Sequence, residues 1–141
     1  MNYEDMTNNE LRAEIAERLG WTFHKHTAGH MFDGHVVDEW IAVDPSKRGH
    51  RSFSSLCLTK DAALKRHTPN WPEDCNAVFT LKVDGASLWY CSAYKYHDMV
   101  IEESWEANFP GCYDDICVKR ANAARAWCEA WLLWQDAQEA E

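Results

Sequence analysis

Several features common in small proteins are missing from this 141-residue sequence. Tyr3 and Met6 stand among Asn, Glu and Asp, so the first residues do not resemble a secretion signal. No apolar run approaches the roughly 18 residues of a membrane span. There is no Gly-rich phosphate loop, hydrolase signature, internal repeat or low-complexity segment. These absences predict a cytoplasmic protein with no membrane contact, and they offer no catalytic motif and no cofactor.

Basic residues are scarce, above all towards the C-terminus. The sequence has 14 Lys and Arg against 23 Asp and Glu, a net charge of −9. From His97 to Glu141, ten acidic residues stand against three basic ones, so −7 of that charge belongs to the last third. Such a surface repels nucleic acid, so no direct nucleic-acid binding is expected, and it favours basic partners. A solvated face that maintains solubility is the commoner explanation for the same pattern.

Six cysteines are an even number, which in a short secreted protein would indicate a disulfide framework. Without a secretion signal, and with the cysteines spread through strand and helix patterns, we expect reduced and mostly buried thiols.

The length fits one domain, 1–141, with its own core. Thr7 and Glu10 form a capping-box pattern ahead of an amphipathic helix, which Gly20 ends. The apolar stripe of that helix is Leu11, Ile15 and Leu19. A short strand is predicted over 21–26, followed by a loop, and a second strand over 36–43. Thr59 is the predicted cap of a short second helix.

The clearest strand signal is a hairpin over 78–94 with Asp84-Gly85 as its two-residue turn. Both faces of this hairpin are partly apolar, which predicts a sheet covered by helices on two sides. The last helix is predicted to begin near Asp114 or Asp115 and to end near Gln138. Its core stripe is Cys117, Ala121, Ala124, Cys128 and Trp131.

Short motifs along most of the chain match one family in their order. They are LRAEIAERLGW, SSLCLTKDAALKR followed by PNW, TLKVDG, and CVKRANAARAWCEAWL. Together they resemble the phage ABA-sandwich domain family, small proteins of bacteriophage and prophage genomes. The resemblance implies an α/β (α+β) fold, a three-layer α/β/α sandwich with a small, mainly antiparallel sheet and a long C-terminal helix. It implies no catalytic residues.

The leading functional hypothesis is a phage-encoded, non-enzymatic binding protein. It would inhibit a host protein, such as a component of bacterial immunity, in the host cytoplasm. Aromatic side chains surrounded by charge are typical of binding hot spots. The expected contact residues are Trp127, Leu133, Trp134, Glu102, Glu103 and Glu106. A homodimer is also expected, with Leu133 and Trp134 at the interface and Trp131 in the protomer core.

Two alternatives stay open. A basic cluster beside a helix N-terminus would suit a nucleotide second messenger that the protein sequesters. Its residues are Lys47, Arg48, Arg51, Lys60, Lys65 and Arg66. Four histidines within twelve residues would suit a metal-dependent phage enzyme, although their spacing matches no established zinc motif. These are His24, His26, His30 and His35.

Overall fold

The computed structural model describes residues 2–32, 35–46, 57–95, 100–111 and 113–140. Their helices, after a short 3₁₀ turn at Tyr3–Asp5, are α1 (Asn8–Arg18), α2 (Lys60–His67), α3 (Cys75–Val78) and α4 (Ala123–Glu139). Their strands are β1 (Thr22–Phe32), β2 (His35–Val43), β3 (Ser87–Lys95), β4 (Val100–Phe109) and β5 (Ile116–Arg120). The predicted mixed α+β class, with small antiparallel sheets and a long C-terminal helix, is confirmed and is consistent with an α/β sandwich.

The chain divides into two compact units, with the boundary inside α1. Unit 1 comprises Met1–Leu11 and Asn70–Glu141, and unit 2 comprises Arg12–Pro69. No described helix is long and apolar enough to cross a membrane.

Unit 1 is built on a three-stranded antiparallel sheet in the order β3-β4-β5, against which α4 packs. Side chains alternate between the two faces of a strand, and Ala107, Phe109 and Val118 lie buried on the face that α4 covers. From α4 itself, Ala124, Cys128 and Trp131 are buried, as the predicted stripe requires. Burial raises the pKa of the Cys128 thiol, so this cysteine is an inert core residue.

The last helix begins later than predicted. The segment that follows Asp114 and Asp115 is strand β5, and α4 starts only after Asn122, whose side chain accepts a hydrogen bond from the backbone N–H of Arg125 at 3.0 Å. Because a strand alternates, Cys117 is exposed on β5 while its neighbour Val118 is buried. Cys117 therefore does not belong to the helical stripe.

The predicted hairpin is wrong in its first half. Cys75–Val78 is the short helix α3, and β3 pairs instead with β4. The Asp84-Gly85 turn is present: Gly85 has φ 85°, and the N–H of Ala86 donates to the carbonyl of Val83 at 3.1 Å. The Leu81 carbonyl is bound by the indole N–H of Trp127 at 2.8 Å, so that carbonyl is committed to α4.

A buried carboxylate lies at the centre of the contacts between α4, β5 and the N-terminal residues. Glu129 is 1% exposed. Arg120, at the end of β5, donates to both of its oxygens at 2.9 and 3.0 Å, and Arg125 donates to Oε2 at 3.0 Å. The charge of Glu129 is thus matched by two guanidinium groups, which a carboxylate removed from water requires.

Arg125 also fixes the N-terminal segment of unit 1. Its guanidinium donates to the Asn8 side chain at 2.8 Å and to the carbonyls of Tyr3, Glu4 and Met6. The hydroxyl of buried Tyr3 donates to Asp136 near the end of α4 at 2.6 Å. Residues 2–8 are therefore anchored at both ends of α4.

The capping features predicted for α1 are confirmed. Thr7 and Glu10 exchange hydrogen bonds at 3.1 and 3.3 Å. Gly20, with φ 90°, ends the helix, and the N–H groups of Gly20 and Trp21 bond back to the carbonyls of Glu17 and Ala16. The predicted stripe is shorter than expected, because Leu11 and Ile15 are buried while Leu19 is 37% exposed.

Unit 2 consists of the antiparallel pair β1–β2, α2 packed on it, and the rest of α1. The predicted strand over 36–43 is confirmed as β2, whereas β1 runs on to Phe32 through part of the predicted loop. Thr59 caps α2 as predicted, accepting from the N–H of Ala62 at 3.0 Å. Arg12 of α1 binds the other end of α2 through the carbonyls of Lys65 and Thr68, where a cation suits the helix dipole.

Replacing Glu129 with Ala should lower the free energy of unfolding by about 3 kcal/mol or more, because the two guanidinium groups lose their buried counter-charge. Urea unfolding followed by circular dichroism measures the change. Glu4→Ala is the matched control. Its carboxylate lies 3.7 Å from Arg120 but is exposed, so the cost should stay below about 1 kcal/mol. Equal costs for the two variants would contradict the central role of Glu129.

Candidate functional site

The face of the unit 1 sheet opposite α4 is the candidate site, and we call it the open face. Of the residues whose side chains the structure describes, alternation along the three strands places nine there: Ser87, Trp89, Cys91, Glu102, Ser104, Glu106, Asn108, Cys117 and Lys119. Trp89 is 62% exposed, and Glu102, Cys117 and Lys119 are exposed as well. The exposed ring of Trp89 gives this face a large apolar surface that a partner could cover.

Three side chains form a row across the open face. Trp89 on β3 lies opposite Glu106 on β4, which in turn lies opposite Lys119 on β5. The indole N–H of Trp89 donates to the hydroxyl of Ser87 on the same strand at 2.9 Å. This bond restricts the ring before any partner arrives. The row presents an aromatic surface, an anion and a cation in sequence.

Glu106 is the acceptor for two thiols. Cys117 donates to its Oε1 at 2.9 Å, and Cys91 donates to its Oε2 at 3.7 Å. The hydrogen bond from Cys117 lowers the pKa of Glu106, and the same bond raises the pKa of Cys117. Glu106 is therefore a carboxylate at neutral pH, and Cys117 stays a protonated thiol.

This arrangement is opposite to that of a catalytic cysteine. A nucleophilic thiol needs a base that accepts its proton or a positive environment that lowers its pKa. Here the carboxylate opposes ionisation of Cys117. A disulfide between Cys91 and Cys117 is also excluded, because β4 lies between their strands and bridged cysteines need Cα atoms within about 7 Å. The thiols serve as hydrogen-bond donors to the carboxylate.

Strand β3 is exposed on its other face too. Tyr90 is 51% exposed and packs edge-to-face on Trp105 of β4, with ring centroids 5.2 Å apart. The pKa of Tyr90 is raised, first by its hydrogen bond to Glu103. Trp89 and Tyr90 therefore present aromatic surface on the two sides of one strand.

The net charge is divided unequally between the units. Unit 1 has 16 acidic and 5 basic residues, a net charge of −11, whereas unit 2 has 7 acidic and 9 basic residues, a net charge of +2. The open face thus belongs to a strongly acidic unit, which attracts cationic surfaces.

The predicted contact residues fall into three groups. Glu102 and Glu106 lie on the open face, while Glu103 lies on the opposite face of β4 near Tyr90. Leu133 is 37% exposed on α4, and Trp134 beside it is half-buried.

Trp127 was predicted as a contact residue, and this is wrong. It is 8% exposed, with its ring against Phe109 at a centroid distance of 4.7 Å and against Phe79 at 6.2 Å. Its indole N–H is committed to Leu81. Trp127 is a core residue because it covers the end of the sheet beneath the segment that follows α3.

The histidine cluster is described only in part. His24 is exposed, with Nε2 at 3.2 Å from the hydroxyl of Thr22. The backbones of His26, His30 and His35 lie in β1 and β2, but their side chains are outside the described residues. Among the side chains that are described, no three His, Cys, Asp or Glu lie close enough to hold a metal ion.

The predicted anion site is also incomplete. Lys47, Arg48 and Arg51 lie outside the described residues. The remaining basic residues, Lys60, Lys65 and Arg66, are exposed on α2. Lys65 pairs with Asp61 at 3.2 Å, and the Lys60 ammonium lies 5.7 Å from the centroid of the Phe23 ring. Two of these three cations thus have contacts within unit 2.

Unit 2 contains a thiol–imidazole pair that was not predicted from the sequence. Cys57 Sγ lies 3.8 Å from Nε2 of His67 at the end of α2. Burial, then the Arg66 charge, lowers the pKa of His67, while Glu39 raises it. Because Cys57 is only 3% exposed, a substrate does not reach the thiol, and we assign the pair to the core of unit 2. Cys57 and His67 are ten residues apart with a predicted helix between them, and no sequence motif relates two residues at that spacing.

No family model, curated protein or solved structure matches this chain. The resemblance to the phage ABA-sandwich family therefore stays a prediction.

Glu106→Gln should speed the alkylation of Cys117 by iodoacetamide several-fold at pH 8. Removing the negative charge lowers the thiol pKa, and each unit of pKa changes the thiolate fraction by up to about tenfold. Mass spectrometry of the Cys117 peptide over time gives the rate. Glu102→Gln, on the same strand and face, should leave the rate unchanged. An unaltered rate in Glu106→Gln would show that Glu106 does not keep the Cys117 thiol protonated.

The pH dependence of unit 2 should follow His67. Because its folded pKa lies below the unfolded value of about 6.5, the unfolded state takes up the proton first. Stability is therefore full above pH 6.5 and falls as the pH drops from 6.5 towards the folded pKa. Hydrogen exchange of α2 amides between pH 7.5 and 5, corrected for intrinsic rates, measures this loss. His67→Gln should remove it; the same loss in that variant would assign the effect to another group.

Proposed function

We propose that this chain is a non-enzymatic protein-binding protein, and that its open face docks on a basic surface of the partner. The observation that carries the proposal is Trp89, whose ring is 62% exposed on a rigid strand and lies directly opposite Glu106. Tryptophan is the residue type most enriched in binding hot spots.

The energetic case combines burial with charge. Covering the Trp89 ring removes a large apolar surface from water, and burying a full aromatic side chain contributes about 2 to 3 kcal/mol. Its hydrogen bond to Ser87 limits the entropy that the ring loses on binding. The net charge of −11 on unit 1 attracts a cationic partner at long range and repels nucleic acid.

The partner should present a Lys or Arg to Glu102 and Glu106 and an apolar group to Trp89. Glu106 suits this role because its pKa is lowered, which keeps it charged. Lys119, at the end of the row, would pair with an acidic residue of the partner and fix its orientation. The open face thus combines an aromatic anchor with charges of both signs.

A narrower form of the proposal is that the protein is made by a bacteriophage and inhibits a component of host immunity in the host cytoplasm. The support for this form is the family resemblance of the sequence motifs, together with the acidic, aromatic surface. The gene neighbourhood tests it, since phage inhibitors of host defence cluster together.

The general proposal is tested by site-specific photo-crosslinking. A benzophenone amino acid replaces Trp89 in one variant and Trp134 in another, and each is irradiated in lysate of a bacterial host. We expect one discrete adduct to a host protein from position 89, separate by mass from any link between two copies of this chain, and no host adduct from position 134. The adduct should be lost when Glu102 and Glu106 are changed to Lys, because the basic partner is then repelled.

The outcomes separate the two candidate surfaces. An adduct from position 134 alone would place the contact on α4 and contradict the open face. Absence of a discrete adduct from both positions would contradict protein binding itself. An adduct from position 89 that persists in the double Lys variant would contradict a basic partner.

A further inference from the structure

We propose that β3 is a dimerisation strand: two copies of this chain pair antiparallel along β3, so that two three-stranded sheets become one sheet of six strands. Among the described residues, β3 bonds to β4 on one side and to no strand on the other. An unpaired edge leaves a row of backbone N–H and C=O groups that a second strand satisfies.

The two edges of the sheet differ in their protection. The far edge, β5, is five residues long and carries Lys119 and Arg120, and short charged strands resist pairing. Strand β3 is nine residues long and has a single charged residue, Lys95, at its end. A long, uncharged edge is a template for strand addition.

The aromatic residues of β3 mark the same edge. Trp89 is 62% and Tyr90 is 51% exposed, and because neighbouring residues point to opposite faces, aromatic surface is open on both sides of the strand. A second strand lies about 4.8 Å away and contacts the flanks of both rings.

The sequence of β3 is complementary to itself. In a twofold pairing centred on Cys91, Trp89 lies opposite the partner's Ala93, and Tyr90 lies opposite the partner's Ser92. Trp89 and Tyr90 thus lie opposite small residues, Leu88 lies opposite the partner's Tyr94 as an aliphatic–aromatic pair, and Lys95 lies opposite the partner's Ser87, so no like charges are opposed. This complementarity is why we assign the edge to a second copy.

Repulsion between the acidic units does not oppose this pairing strongly. The two Glu106 side chains, one on each β4, are three strand spacings apart across the sheet and four residues apart along it, which separates them by more than about 14 Å. The screening length at physiological ionic strength is about 8 Å. Each Glu106 also has Lys119 opposite it on β5.

This dimer differs from the one predicted through Leu133 and Trp134, and it does not depend on the proposed host partner. Pairing in the plane of the sheet leaves the open face of each copy accessible. The two open faces become one surface with twofold symmetry.

Light scattering and sedimentation on the purified chain test the proposal. The wild type should be a dimer at tens of micromolar. Cys91→Lys should weaken the dimer about tenfold or more, since two ammonium groups then meet at the twofold axis. The monomer should tolerate the same substitution, because the carboxylate of Glu106 lies beside position 91 and can pair with the ammonium. Cys91→Ser, and Leu133→Ala with Trp134→Ala, should stay dimeric.

Oxidation by copper phenanthroline gives an independent readout. Opposed residues of antiparallel strands have Cα atoms about 4.5 to 5.5 Å apart, within the range of a disulfide. The two Cys91 thiols should lose two protons and two electrons to the copper oxidant and form a linked dimer. The link should persist in Cys117→Ser and vanish in Cys91→Ser.

A wild type that is monomeric at 100 µM or so would overturn the proposal. So would a dimer that resists Cys91→Lys and gives no Cys91 link. A dimer lost in the Leu133→Ala, Trp134→Ala variant would place the interface on α4 instead. If Cys91→Lys does not fold, the Cys91 link alone decides: its absence from the wild-type dimer rejects the β3 interface.

Discussion

The arrangement of unit 1 depends on the carboxylate of Glu129. A charge this deeply removed from water is tolerated only if counter-charges and hydrogen bonds replace its hydration. Arg120 supplies two hydrogen bonds from the end of β5, and Arg125 supplies another from α4 itself. The Arg120 bonds fix β5 against α4. The Arg125 bond fixes the guanidinium that also binds the N-terminal segment. A shift of α4 along the sheet would break these contacts together, so Glu129 sets the register between helix and sheet.

That register determines which surfaces of the sheet stay exposed. With α4 held at β5 and β4, the side chains of Ala107, Phe109 and Val118 are buried beneath it. Strand β3 is the strand of the sheet farthest from the Glu129 cluster, and its aromatic residues Trp89 and Tyr90 are left exposed. The same electrostatic cluster that stabilises the core therefore leaves one face and one edge of the sheet available. The exposed face and edge of the sheet therefore follow from where α4 is anchored.

Local signals in the sequence predicted the local features well. The Thr7–Glu10 capping box, the Gly20 helix end and the Thr59 cap involve residues a few positions apart, and all are present. Strand pairing was not predictable in the same way, because Asp84-Gly85 suits a turn whatever precedes it. The residues before the turn do not form a strand. In that segment, the carbonyl of Leu81 accepts a hydrogen bond from the indole N–H of Trp127, 46 positions away. At the candidate site, the acidity of the sequence indicated Glu102 and Glu106, and both lie on the open face. The sequence could not show that Trp89 is exposed and Trp127 is buried, because that difference depends on which strands α4 covers.

Glu106 connects the chemistry of the open face to the recognition that we propose for it. A carboxylate that accepts hydrogen bonds from two thiols is partly satisfied before a partner binds, so the free protein does not hold an unpaired anion there. An incoming ammonium or guanidinium competes only with weak S–H donors, which cost little to displace. The lowered pKa keeps the negative charge in place through the physiological range, so attraction for a cation does not vary with pH. Cysteine is suited to these two positions because serine would bind the carboxylate more strongly and lysine would cancel its charge. The thiols thus hold the carboxylate in position without neutralising it.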